Sequence, residues 1–145
     1  GGARASTKLA RAAARRLHPE TEFIVYDADA ALRRRRQRGG EGDGADGAEP
    51  PLPGIGPHVD NGSCVTLIAM LSDRARGDFE GGVNRFEDGA GRGGIDDGRF
   101  VELRPELGDI VIFRGEACEH SLTPVTRGVR RILQIEFCRM KEGRH

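Results

Sequence analysis

From Pro53 onward the chain alternates short apolar runs with turns rich in glycine, proline and aspartate. SCVTLIAMLS (63–72), RFVEL (99–103), DIVIFRG (109–115) and VRRILQIEFC (129–138) have the length and the β-branched and aromatic content of strands. FEGGVNRFE (79–87) reads the same way, interrupted or opened by Gly81-Gly82. Upstream, EFIVYDA (22–28) predicts one more short strand. Residues 6–18 predict a helix: Ser6 or Thr7 caps it, alanine and arginine favour it, and Pro19 ends it. Its Leu9, Ala13 and Leu17 share one face, suited to packing on a sheet. Short strands joined by tight turns, with a helix only at the start, imply a mainly β sandwich or barrel. The expected fold is a double-sheet jelly roll with a supporting N-terminal helix. Residues 33–53 break the pattern with four arginines, a Gly/Asp/Glu run and a proline cluster. So polar a stretch buries too little apolar area to offset its ordering entropy, and it is expected to be a disordered insertion.

The length of 145 residues fits one domain, 1–145, with a core of its own. Because the chain begins at Gly1, it reads as an excised domain. The formal net charge is zero, yet residues 1–38 hold ten Lys/Arg against four Asp/Glu, leaving the remainder acidic. The arginine run is read as a solvated loop, so nucleic acid is not an expected partner. Cys64, Cys118 and Cys138 form no CxxC pair, which argues against a disulfide framework and fits reduced thiols in an intracellular setting. No apolar run reaches the roughly 18–20 residues of a membrane span, and no signal peptide is visible.

The chemistry concentrates in a few residues. In His58-Val59-Asp60 an extended backbone would place the imidazole and the carboxylate on one face. His120 follows the strand DIVIFRG after a short loop, far enough along for the chain to cross the fold and return. Two imidazoles and one carboxylate are the facial ligand set of non-haem iron(II) oxygenases, which leaves coordination positions open. Each motif alone is ordinary: a surface His and Asp, or a hydrogen-bonded loop histidine. Arg130 begins a strand in which Arg130, Ile132, Gln134 and Glu136 alternate onto one face. A buried guanidinium there needs a partner, which is either a protein acid or a carboxylate ligand gripped by the arginine fork.

Taken in order, HVDNGSCVTLIAMLS (58–72), DFEGGVNRF (78–86) and LGDIVIFRGEACEHSLTPVTRGVRRILQIEF (107–137) resemble the 2-oxoglutarate- and iron(II)-dependent dioxygenases, in their prolyl 4-hydroxylase/lysyl hydroxylase-like branch. The resemblance covers roughly residues 55–138. It implies a double-stranded β-helix, iron(II) held by His58, Asp60 and His120, and Arg130 on the far carboxylate of 2-oxoglutarate. It also implies molecular oxygen as a cosubstrate, ascorbate as an accessory reductant, and hydroxylation of a substrate such as a peptidyl prolyl or lysyl side chain or a small molecule. The sequence departs from the family at the strand after HxD, where Met70 stands for a tyrosine. Tyr26 becomes a candidate for a cosubstrate tyrosine only if 33–53 loops out, and Gln134 is a further candidate polar contact. Two other readings stay open: a catalytically silent jelly-roll binding module, and a jelly-roll metalloenzyme of another chemistry.

Overall fold

The computed structural model describes residues 17–38, 51–87 and 100–139. Nine strands are present among them: β1 (Leu17–Asp27), β2 (Ile55–His58), β3 (Ser63–Met70), β4 (Phe79–Gly81), β5 (Asn84–Glu87), β6 (Phe100–Leu103), β7 (Ile110–Phe113), β8 (His120–Leu122) and β9 (Val125–Arg139). One α-helix, α1 (Ala28–Arg38), follows β1, and a single 3-10 turn spans Gly115–Ala117. All strand pairs are antiparallel. One sheet has the order β1-β9-β3-β7, with β4 also paired to β9; the other has the order β2-β8-β5-β6. Non-sequential neighbours in two such sheets make the jelly roll that the strand pattern implied.

Register decides what faces inward. β1 pairs with β9 along its whole length, placing Tyr26 opposite Arg130, Ile24 opposite Ile132 and Glu22 opposite Gln134. On the other flank of β9, Met70 meets Ile132 and Ile68 meets Gln134. Because paired residues share a face, these rungs form one inner wall. The core gathers Ile68, Met70, Phe79 and Ile132 from this sheet with Leu122 from the other. Phe86 of the second sheet packs edge-on against Phe113 of the first, with ring centroids 5.1 Å apart.

Three expectations change. Residues 6–16 of the predicted N-terminal helix lie outside the described residues, while Leu17 and His18 belong to β1. Pro19 sits inside that strand rather than before it, which an edge strand tolerates because one row of its N–H groups has no partner to bond. The helix observed is α1, and it runs through Arg38, into the stretch expected to be disordered; residues 39–50 lie outside the described residues. Asp27 starts it by accepting the Ala30 N–H at 2.7 Å, and alanine and arginine carry it with high intrinsic propensity. Asp29 then anchors it to the sheet by accepting the Gly128 N–H at 2.9 Å. Finally, β9 begins at Val125 rather than Val129. Gly128, at φ +71°, lets the strand kink as its partner changes from β4 to β3 instead of ending it.

Candidate metal centre

His58 ends β2 and His120 begins β8, and the two are direct cross-strand partners. Their side chains therefore leave the sheet on the same face, with ring centroids 4.3 Å apart. Asp60 follows β2 by two residues and is fixed by its own backbone, whose N–H donates to the Gly115 carbonyl at 3.0 Å. Its Oδ1 lies 3.6 Å from Nε2 of His58 and 3.6 Å from Nε2 of His120. Asp60 and His120 are buried, whereas His58 is partly open to solvent.

The surroundings orient each group. His58 Nδ1 donates to the Gly56 carbonyl at 2.9 Å, and His120 Nδ1 donates to the Cys118 carbonyl at 3.1 Å. A carbonyl oxygen only accepts, so each Nδ1 carries a hydrogen and each Nε2 is the nitrogen turned towards Asp60. Asp60 Oδ2 accepts the Thr66 hydroxyl at 2.6 Å, and Thr66 is in turn 3.0 Å from the Ser63 hydroxyl. That leaves Oδ1 turned towards the imidazoles. The His120 ring lies 4.6 Å from Phe113 and 5.8 Å from Phe86, which limits its rotation. Two imidazoles and one carboxylate, each backed by a hydrogen bond, suit a divalent first-row metal. The three donor atoms lie within 4.8 Å of one another, close enough for one ion to bridge them.

Arg130 lines the same space. It is 1% exposed, so its charge is desolvated. Nη2 donates to Asn84 Oδ1 at 2.7 Å, and the guanidinium carbon lies 5.3 Å from the centre of the Tyr26 ring. Nε is buried with no hydrogen-bond partner. Burial pushes the Arg130 pKa down to about 10, with Tyr26 opposing the shift and Arg74 adding to it. The group still carries its charge at neutral pH. Burial likewise pushes the Tyr26 phenol up, against the pull of Arg130. Gly82 makes this placement feasible: at φ +60°, a Cβ there would sit 3.0 Å from Arg130 Cδ and 3.0 Å from Val125 Cγ2.

A cavity of about 230 Å³ joins these parts. All six residues singled out from the sequence, His58, Asp60, His120, Arg130, Tyr26 and Gln134, line it. Gln134 spends one amide hydrogen on Glu136 Oε1 at 2.7 Å. Met70 does not reach the cavity; it is fully buried in the core beside Ile132. Sequence reasoning missed Asn84 and Thr66. Both are polar residues at inward positions of alternating strands, and that was the available signal.

The two sheets of the jelly roll thus enclose one cavity lined by a His-Asp-His cluster with the donor set of a metal site and by a buried arginine. No protein-family model and no curated protein matches this sequence. Among solved structures, the chain is similar to the crystal structure of a Pseudomonas putida prolyl-4-hydroxylase, with a TM-score of 0.56 at 19% identity. The alignment covers 94% of this chain and 64% of that one. At this identity the likeness shows the fold alone, a jelly roll of two antiparallel sheets.

Proposed function

We propose that this chain is an iron(II)- and 2-oxoglutarate-dependent dioxygenase domain that couples oxidative decarboxylation of 2-oxoglutarate to hydroxylation of a substrate. The observation that carries this reading is Arg130: a buried cation with no acidic partner among the described residues, lining the same cavity as the His-Asp-His cluster. A silent module need not keep the triad together with that buried charge, which is costly; cosubstrate turnover separates it from the proposed enzyme, and metal identity separates a jelly-roll metalloenzyme of another chemistry.

The cavity describes its own ligand. Its lining offers the His-Asp-His cluster and a fixed cation, with Ile68, Leu122 and Ile132 among the polar groups. What fits is a short acid with chelating oxygens at one end, methylene groups between, and a carboxylate at the other. The volume is below the roughly 300–1,000 Å³ of pockets for drug-sized ligands, which favours a small dicarboxylate.

His58, Asp60 and His120 would hold iron(II), which would supply Lewis-acid and redox chemistry there. The residues of the chain do the rest. The carbonyls of Gly56 and Cys118 keep the histidines in the ligating tautomer. Thr66 holds Asp60 with one oxygen facing the histidines. Arg130 would take the far carboxylate, replacing lost hydration with a charge-assisted pair. The apolar walls would exclude water from the ligand's methylenes.

A prolyl or lysyl side chain presented by a peptide is the substrate class the family resemblance favours, with a small-molecule substrate as the alternative; ascorbate is the expected reductant. No helix among the described residues is long and apolar enough to cross a membrane. The test is succinate formation from 2-oxoglutarate under air. It is expected only with iron(II) present, and lost in His120→Ala. Turnover that survives that substitution would contradict the proposal.

A further inference from the structure

Among the described residues, a second group of three side chains offers metal-ligand atoms within 4.8 Å of one another: His18, Glu20 and Cys138. Its geometry follows from register. His18 and Cys138 are direct partners across β1 and β9, and Glu20 is two residues along β1, so all three emerge on one face. His18 Nε2 already lies 2.9 Å from Glu20 Oε1, and Cys138 Sγ lies 4.0 Å from Glu136 Oε2. Cys138 is buried while His18 and Glu20 are exposed, so the group has a protein floor and an entry from solvent.

We infer that His18, Glu20 and Cys138 form a zinc-type site that ties the start of β1 to the end of β9, separate from the His58-Asp60-His120 centre. One nitrogen, one thiolate and one carboxylate are donors zinc accepts, with Glu136 or water available to complete four-coordination. The thiolate distinguishes this group from the first, whose donors are nitrogen and oxygen only, and it biases the site towards zinc over iron(II) or magnesium. Binding converts the Cys138 thiol to a thiolate and releases its proton to solvent. The consequence is structural. β1 is an edge strand held on one side by β9, and it carries Glu22, Ile24 and Tyr26 into the cavity wall. A metal clamp across its second rung would hold that wall in place.

The probe is cobalt(II), titrated into the full chain and followed by its near-ultraviolet sulfur-to-cobalt charge-transfer band, which nitrogen and oxygen ligands do not produce. The band is expected in the wild type and in His120→Ala, where the proposed iron centre is broken. It should vanish in Cys138→Ser and persist in Cys64→Ser and Cys118→Ser. His18→Ala, an exposed substitution that leaves the core intact, should weaken cobalt binding at this site by at least about tenfold, since loss of mere supporting groups already costs that much. No band in the wild type, or a band that survives Cys138→Ser, would overturn the inference. If Cys138→Ser fails to fold, as circular dichroism would show, His18→Ala and Glu20→Gln decide it: undiminished affinity in both overturns it.

Discussion

At the scale of single residues, Arg130 and Thr66 carry the argument. Arg130 is held charged in a desolvated place, with its pKa lowered to about 10 by burial. A shift of that size corresponds to roughly 3 kcal/mol of strain on the charged form. The folded pKa of this base lies below its ordinary value, so the penalty is present in full at neutral pH and is relieved as pH rises through about 10. Arg130→Met should therefore leave the ligand-free protein at least as stable as the wild type in thermal melts. The same variant should raise the KM for 2-oxoglutarate by about ten- to a hundredfold while sparing iron affinity, because a charged hydrogen-bonded pair is worth about 1.5–3 kcal/mol. In the wild type, 2-oxoglutarate affinity should hold steady through mild alkali and fall only above pH of about 10, as the guanidinium discharges. Thr66→Val removes the hydroxyl that orients Asp60. Anaerobic calorimetry should show iron(II) binding weakened by about ten- to a hundredfold. The residue types of this site were legible from the sequence: HxD, a distant histidine and an arginine at the head of an alternating strand. Asn84 and Thr66 were not, because their roles exist only once β5 and β3 are placed beside Arg130 and Asp60.

At the scale of elements, the β signal was readable because alternation of apolar and polar residues is local, as β3 shows with Thr66, Ile68 and Met70 inward. The ends of elements were less readable. α1 was hidden because its arginine run looks like a solvated loop, while its stability comes from a cap at Asp27 and a tertiary bond from Gly128 to Asp29. The full length of β9 was hidden by Gly128, a turn signal in sequence and a kink in the sheet. Gly82 belongs to this scale too, since the conformation between β4 and β5 makes room for Arg130. Gly82→Ala should destabilise the fold by about 1–2 kcal/mol through its left-handed backbone alone. Crowding of Arg130 should also raise the KM for 2-oxoglutarate, which distinguishes this variant from one that is merely less stable.

At the scale of the whole molecule, the site is an outcome of sheet closure. The histidines come from β2 and β8 of one sheet, Arg130 and Tyr26 from β9 and β1 of the other, and the cavity lies between them. No single stretch of chain contains it, which is why spacing suggested the chemistry while the topology was needed to build it. Ligands that fill this cavity should therefore stabilise the fold in steps. A divalent metal and then a dicarboxylate should each raise the melting temperature, by roughly 3 kcal/mol of stability at a hundredfold excess over the dissociation constant. A chelator should reverse both gains if, as proposed, the dicarboxylate binds through the metal. The central claim is tested most directly by anaerobic titration of iron(II)-loaded protein with 2-oxoglutarate. A weak visible charge-transfer band is expected to saturate, then to bleach with succinate formation when oxygen is admitted. No band at saturating 2-oxoglutarate, in folded and iron-bound protein, would contradict it.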